Sequence, residues 1–201
     1  MPKWISPLFT DARNALGDSV VFSNWKGRSY FRSYVIPANP RTLKQQANRN
    51  VLKELVKRWQ SIKGDADAVA AWNKCALPYQ ISGYNLFTKF GRLSKVECPA
   101  TGSVNVPFTV TYTCGIPLSD AGLYVFDGTN WIDKTPATGL EAGADKTVSI
   151  TLTAAGTYYI FLAYKKVLKP GDTSPKGYQA VTKWMPDYTT GLAKEAKIVI
   201  S

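Results

Sequence analysis

The sequence predicts an α+β protein of two modules, an N-terminal β-hairpin with helices and a C-terminal all-β, immunoglobulin-like sandwich. Three successive patterns predict it: a hairpin signal, a long stretch with helical spacing, and many short strand-like runs separated by turn residues. A chain of 201 residues is long enough for two small domains. We expect the first module to span residues 1–95 and the sandwich to span residues 96–201.

The distribution of charge predicts the same division. Residues 1–95 hold 16 basic and five acidic residues, a net charge of +11, whereas residues 96–201 hold nine of each kind. All seven arginines lie in the first part. Because arginine pairs well with carboxylates and phosphates, the first module is expected to bind something anionic and the second is not.

The first predicted element is a β-hairpin within the sequence SVVFSNWKGRSYFRSYVIP, residues 19–37. Two β-branched and aromatic runs flank a Lys-Gly pair, and Gly27 can take the positive φ of a tight turn. The period of two places Tyr30, Arg32 and Tyr34 on one face of the second strand. That face is aromatic and basic, and the opposite face is apolar.

A long helix is expected next, ending near Ile62, with either Asn39 or Thr42 as its N-cap. Its apolar residues recur at helical spacing, which is typical of a helix that packs on a core. Beside this stripe a basic ridge recurs every four residues: Arg49, Lys53 and Lys57.

Two shorter helices complete the first module. One begins at Asp65 or Asp67, either of which can cap it. The other runs from Ser82 to about Phe90, and Gly91 is expected to end the module.

Seven basic residues of the hairpin and the long helix are the predicted contacts to an anionic partner: Lys26, Arg28, Arg32, Arg41, Arg49, Lys53 and Lys57. A surface that only aids solubility is the plainer interpretation, and a phosphate backbone or an acidic protein surface would suit these side chains equally well. Four large aromatic residues are instead assigned to the core of this module: Trp25, Tyr34, Trp59 and Trp72.

A family resemblance rests on residues 16–90. The segment GDSVVFSNWKGRSYFRSYVIPANPRTLKQQANRN, then Trp59, AWN at 71–73 and SGYNLF at 82–87, resembles small structural proteins of tailed phages and prophages whose role is unassigned. The resemblance implies a virion component that assembles with other virion proteins and with copies of itself. It implies no catalytic residues and no cofactor.

The second module reads as strands throughout. In residues 148–153, VSITLT, apolar and polar residues alternate, as a strand with one solvated face requires. Between the candidate strands lie turn signals such as Asp127-Gly128 and Pro170-Gly171. The candidate strands are Val104–Thr113, Leu123–Phe126, Thr147–Thr153, Thr157–Lys165, Tyr178–Trp184 and Glu195–Ile200.

Three aromatic residues near loops of the sandwich, Trp131, Trp184 and Tyr188, are candidates for stacking on sugars. Packing within the sandwich or against a neighbouring subunit is the alternative interpretation. The cysteine count is odd, which suits free thiols, although Cys98 and Cys114 would bridge if they lay on facing strands.

The sequence contains no histidine, which excludes the usual catalytic triads and histidine-ligated zinc. Glycine-rich phosphate-binding motifs are absent as well. The N-terminus lacks the apolar stretch of a secretory signal, and no run is long enough to span a membrane.

We therefore predict a non-enzymatic virion structural protein, synthesised in the host cytoplasm, without cofactor or metal and without a membrane partner. It would serve as a capsid decoration, minor capsid or tail component. The alternatives are a nucleic-acid-binding protein, with DNA as the partner, and a glycan-binding adhesion module.

Overall fold

The computed structural model describes residues 14–16, 20–25, 28–35, 39, 41–172 and 177–201, with the side chains at 14–16, 24, 25, 28 and 29 excepted. The chain divides into two compact units, residues 1–40 and residues 41–201. The second unit contains helices and several β-sheets, so the mixed α and β class predicted from the sequence is confirmed.

The first unit contains a three-stranded antiparallel sheet in the order β1-β2-β3. Its strands are β1 (Asn14–Leu16), β2 (Val20–Trp25) and β3 (Arg28–Ser33). Trp25 pairs with Arg28 and Phe22 with Phe31, which confirms the predicted hairpin. Lys26 and Gly27 at its turn lie outside the described residues.

The exposed fractions of the hairpin side chains contradict one prediction, the assignment of Tyr34 to the core. Phe31 is 76% exposed, and Tyr34 is 38% exposed. The assignment of Tyr34 to the core is therefore wrong, because two strands and a third short one offer it too little surface to pack against. The side chain of Trp25 lies outside the described residues.

The second unit begins with three α-helices, whose bounds are α1 (Leu43–Lys63), α2 (Ala66–Ala76) and α3 (Gly83–Leu93). Each has a side-chain N-cap that accepts a hydrogen bond from the backbone N–H three residues on: Thr42 at 3.3 Å, Asp65 at 3.1 Å and Ser82 at 3.2 Å. The structure thus selects Thr42 and Asp65 from the predicted alternatives. Gly91 does not end α3, which continues to Leu93.

Eleven strands follow the helices in the described part of the second unit. Short 3₁₀ turns lie between α2 and α3 at Leu77–Tyr79 and among the strands at Leu118–Asp120 and Gly177–Gln179. The strands are β4 (Lys95–Glu97), β5 (Thr101–Gly102), β6 (Phe108–Thr113), β7 (Ala121–Phe126), β8 (Trp131–Asp133), β9 (Lys146–Ile150), β10 (Gly156–Tyr164), β11 (Ala180–Thr182), β12 (Trp184–Pro186), β13 (Ala193–Glu195) and β14 (Lys197–Ile200).

These strands form three sheets. The largest has the order β5-β14-β10-β7-β8, with β11 also paired to β10, and its pairs are antiparallel except for β14 with β5. A three-stranded antiparallel sheet has the order β4-β6-β9, and β12 pairs with β13. The run 178–184, predicted as one strand, is divided between a 3₁₀ turn, β11 and β12.

The two faces of the largest sheet differ in chemistry. On one face Ile160 pairs with Val125 and Leu162 with Leu123, and all four belong to a core shared with β4, β6 and β9. On the other face lie aromatic rings at the intervening positions: Tyr124, Phe126, Tyr159 and Phe161. Because neither face is left to solvent, β7 and β10 have almost no polar residues.

Helices pack on both sides of this sheet: α1 lies against the aromatic side, where Arg58 contacts Phe161, and α2 and α3 contact Tyr164, two positions after Leu162 on the other side. The ring of Tyr164 on β10 lies 5.9 Å from Trp72 and 5.0 Å from Phe90, measured between centroids. Trp72 Nε1 also donates a hydrogen bond to the Tyr178 carbonyl at 3.1 Å, and Asn50 donates to the Gly191 carbonyl at 2.8 Å. The hydrophobic core is therefore continuous from the helices into the strands.

Residues 95 and 96, where the module boundary was predicted, lie inside this second unit on β4. Val96 is fully buried in the continuous core. The division into two functional modules stays a prediction, whereas the packing continues across the predicted boundary.

Residues of the motifs at Trp59, 71–73 and 82–87 pack the three helices against one another. Trp59 and Trp72 lie 6.4 Å apart in an edge-to-face arrangement, and Phe87 contacts both rings. Asn73 accepts a hydrogen bond from the Gly83 backbone N–H at 2.8 Å, and a Cβ at Gly83 would lie 2.9 Å from the backbone of Trp72. These motif residues therefore serve packing between α1, α2 and α3. The core assignment of Trp59 and Trp72 is confirmed.

Candidate functional site

The predicted anion-binding residues lie in both units. Lys26 is outside the described residues, and of Arg28 only the backbone on β3 is described. Arg32 is exposed on the same strand, and Arg41 is exposed just before α1. The predicted site therefore has one part in each unit.

The basic ridge lies on one exposed face of α1. The side chains that form it, Arg49, Lys53 and Lys57, are exposed, and their spacing of four residues places them on one face of the helix. Lys57 pairs with Glu54 at 2.7 Å between Nζ and Oε1. Such an exposed pair contributes under about 1 kcal/mol and leaves the ridge strongly basic.

Most of the charge in the second unit lies on its helical segment, residues 41–95. This segment holds 11 basic and three acidic residues, a net charge of +8, while residues 96–201 are neutral. Ten of the 11 basic side chains are exposed. The eleventh, Arg58, points toward the aromatic face of the largest sheet.

Arg58 lies at a cavity of about 660 Å³ between α1 and that sheet. The walls are aromatic and come from β7, β8, β10 and β12: Phe126, Trp131, Tyr159, Phe161 and Trp184. Charged residues at the cavity include Glu54, Arg58, Asp65 and Lys183. The cavity therefore combines flat apolar surfaces with desolvated charges.

Two of the three candidate sugar-stacking residues, Trp131 and Trp184, meet at this cavity, and Tyr188 does not. Trp131 is stacked on Phe126 with 4.6 Å between ring centroids and contacts Phe161 at 4.9 Å. A Cβ on Gly177 would lie only 2.9 Å from its Nε1. Trp131 is thus packed on several sides. Tyr188 is 43% exposed in the turn after β12.

Arg58 is held against two of these rings. Its Cζ lies 5.9 Å from the centroid of Trp131 and 5.8 Å from that of Phe161, within the range of a cation–π interaction. One terminal nitrogen donates to the Gly177 carbonyl. Its Nε is buried without a hydrogen-bond partner. Burial lowers the pKa of the Arg58 guanidinium from its ordinary value, and the group stays charged.

Lys183 is the second cation of the cavity. Its Nζ lies 3.9 Å from the ring centroid of Tyr159 and 5.1 Å from that of Trp184. Burial, and then repulsion from Arg58, lowers the pKa of Lys183 to about 8. Lys183 also forms an ion pair with Glu195.

The carboxylates around the cavity are already engaged by lysines. Glu54 pairs with Lys57 at 2.7 Å. Asp65 pairs with Lys169, and Glu195 with Lys183. Among the residues that the structure describes, no carboxylate forms an ion pair with Arg58. Arg58 therefore carries a buried charge that has no ion-pair partner among the described residues.

Neither Arg58 nor Lys183 was among the site residues predicted from the sequence. Two signals were present, since Arg58 lies three residues after Leu55 and four before Ile62, at the edge of the buried stripe of α1. The run GTYYIFLAY of β10 is apolar on both faces, which indicates a strand covered on both sides. Together they place an arginine of α1 near covered strands.

The three cysteines are free thiols. The bridge considered between Cys98 and Cys114 does not form, because Lys95 pairs with Thr113 and Glu97 with Thr111. This antiparallel register puts Cys98 beyond one end of the pairing and Cys114 beyond the other. Burial raises the pKa of the Cys98 thiol to about 11. Within the described part of the chain, no group of three or more Cys, Asp or Glu residues could hold a metal ion.

Comparisons with protein-family models, with curated proteins and with solved structures found no match to the chain. A search of the helices in the described ranges found none with the length and apolar character needed to cross a membrane.

Proposed function

We propose that the protein is a non-enzymatic structural component of a virion, a capsid decoration, minor capsid or tail protein, that holds an anionic neighbour through its basic surface. The observation that carries the proposal is the separation of charge within one packed unit: the helical segment is +8 and the strand region is neutral. Arginine and lysine on one exposed helix face suit carboxylates or phosphates on a neighbour.

The strand region is proposed to be an immunoglobulin-like sandwich. In such a fold one sheet joins strands A, B and E, and the other joins G, F and C. Here β4, β6 and β9 form the first group, and β14, β10 and β7 form the second, with β8 beside β7. This strand order supports the assignment.

A second feature supports the sandwich. Tyr158 lies near the start of β10, the strand that corresponds to F, and its hydroxyl donates a hydrogen bond to the Ala154 carbonyl at 3.0 Å. A tyrosine at this corner, bonded to the backbone a few residues upstream, is a hallmark of immunoglobulin domains. Two positions on is the buried aliphatic Ile160, where antibody domains have a cysteine.

Many copies of a weak basic interface are enough to hold the protein in a symmetric particle. Each copy needs only a few exposed charge pairs, because many identical contacts in a symmetric shell or tube act together. The partners in this proposal are other virion proteins and copies of this chain. The neutral strand region would face outward or sideways.

Surface substitutions test the anchoring role better than truncation, because the core is continuous between helices and strands. The triple variant Arg49→Gln, Lys53→Gln and Lys57→Gln removes the ridge. The matched control replaces three lysines of the strand region that are exposed: Lys166→Gln, Lys194→Gln and Lys197→Gln. Occupancy of each variant in purified virions is measured by quantitative mass spectrometry.

We expect the ridge variant to fall at least several-fold in occupancy and the control to remain near that of the unchanged protein. Equal occupancy for both variants would contradict anchoring through the ridge. Absence of the unchanged protein from virions would contradict the virion assignment itself.

The second candidate is nucleic-acid binding, with DNA as the partner, and the α1 ridge is the observation that favours it. A ridge that contacts about three phosphates gives a slope of about −2.7 in a plot of log affinity against log salt for duplex DNA. Binding of random duplex DNA at several salt concentrations measures this slope. A slope near zero, or no binding at low salt, would reject the candidate.

A glycan-binding role through Trp131, Trp184 and Tyr188 gains no support from Trp131, whose ring is packed against Phe126 and Phe161. The three residues do not form one surface, since Tyr188 lies away from the cavity lining. We therefore place this role after the other two.

A further inference from the structure

The cavity beneath α1 holds a charge that the fold itself does not neutralise. Arg58 is largely withdrawn from water, its Nε has no hydrogen-bond partner, and the nearby carboxylates pair with lysines. A buried donor without a partner destabilises the folded protein. An acceptor on a ligand that reached this Nε would satisfy it.

Lys183 places a second positive charge near Arg58, which further favours binding of a negative group. It lies close enough to Arg58 for the two cations to repel each other, and its only described carboxylate partner is Glu195. Lys197 adds a further positive charge near Lys183, and Glu54 a negative one. An anion placed between Arg58 and Lys183 would reduce the repulsion and complete the hydrogen bonding of Arg58.

The aromatic side chains that line the cavity indicate what the rest of such a ligand, beyond its anionic group, is like. Tyr159, Phe161 and Trp184 present aromatic surface beside the cations. The volume of about 660 Å³ is that of a site for a small organic molecule. The exposed residues Lys57 and Ser61 lie at its edge, so the cavity opens to solvent.

We propose that this cavity binds a small carboxylic acid, with the carboxylate between Arg58 and Lys183 and an apolar face of its ring stacked on the aromatic walls. The site shares Lys57, at its edge, with the basic ridge, and it does not depend on the virion role. A flat aromatic acid and a sugar acid share this chemistry, and the test distinguishes them.

The test is calorimetric titration of the full-length protein with benzoate and with glucuronate. The neutral analogues benzamide and glucose are titrated in parallel. We expect saturable binding of at least one acid in the millimolar range or below, and at least tenfold weaker binding of its neutral analogue. The better acid identifies whether the body of the natural ligand is aromatic or a saccharide.

Variants assign the binding to the cavity. Arg58→Gln is expected to weaken binding of the acid by about tenfold to a hundredfold, the range for loss of a charged hydrogen bond. Arg58→Lys keeps the charge without the planar fork and is expected to be intermediate. The matched control Arg92→Gln alters an exposed arginine of α3 and should bind as the unchanged protein does.

Three results would overturn the proposal: no saturable binding of either acid, equal affinity for an acid and its neutral analogue, or unchanged affinity in Arg58→Gln. If Arg58→Gln is misfolded by circular dichroism, Lys183→Gln replaces it in the same titration. Unchanged affinity in that folded variant would overturn the proposal equally.

Discussion

The two faces of the largest sheet carry different kinds of side chain, although they belong to the same strands. One face consists of aliphatic side chains such as Ile160 and Leu162, fully buried against the second sheet. The other consists of aromatic rings that touch two cations, Arg58 and Lys183. The second face also has an opening to solvent.

This difference separates stability from binding. Burial of aliphatic side chains contributes favourable free energy without directional requirements. Withdrawing two cations from water costs free energy. A bound anion would offset that cost. The aliphatic face should therefore tolerate change poorly, and the aromatic face should gain stability when its charges are removed.

The largest expected effect lies on the aliphatic face. Ile160→Ala removes a fully buried side chain and leaves a cavity, so we expect a loss of about 3 kcal/mol in the free energy of unfolding. Urea denaturation followed by circular dichroism measures it. Val199→Ala is the control, because Val199 on β14 is 41% exposed and its truncation should cost under about 1 kcal/mol. Similar losses for both variants would contradict the description of this face.

The aromatic face should respond in the opposite direction. Arg58→Met replaces an uncompensated buried cation by an apolar side chain of similar length, which is often neutral or stabilising. We expect a gain of about 1 kcal/mol in the free energy of unfolding, measured by the same denaturation. A loss of more than about 1 kcal/mol would show that Arg58 stabilises the fold rather than a bound anion.

The smallest expected effect is a pH dependence at Lys183. Its pKa is about 8 in the folded protein against an ordinary value of 10.5, so between these pH values the unfolded chain holds the extra proton. Stability therefore rises with pH across this window. Between pH 7 and 9.5 the unchanged protein should gain up to about 1 kcal/mol relative to Lys183→Met, since partial exposure screens the charge. No difference between the two pH profiles would contradict the lowered pKa.

Much of the fold could be predicted from local signals. The caps at Thr42, Asp65 and Ser82, the hairpin pairing of β2 with β3, and most strands of residues 96–201 follow from residue type and periodicity. These features depend on neighbours close in sequence. The extension of α3 through Gly91 was missed because Gly91 packs against Leu55, a contact between helices that no local signal contains.

The candidate site was less predictable because it depends on distant residues. The exposed ridge of Arg49, Lys53 and Lys57 follows from helical spacing alone. Arg58 and Lys183 are separated by 125 positions in the sequence, and only the packing of α1 on the largest sheet brings them together. Charge counting also could not show that the core continues past residue 95, since it is insensitive to the apolar residues that form that core.

The aromatic face of β7 and β10 limits how the strand half of this protein can be reused. A β-sheet domain grafted alone onto another scaffold needs a polar outer surface to stay soluble. Here that surface carries Tyr159 and Phe161, and α1 is their natural cover. Transfer of the strand region to another protein would have to include the helices or replace these two residues with hydrophilic ones.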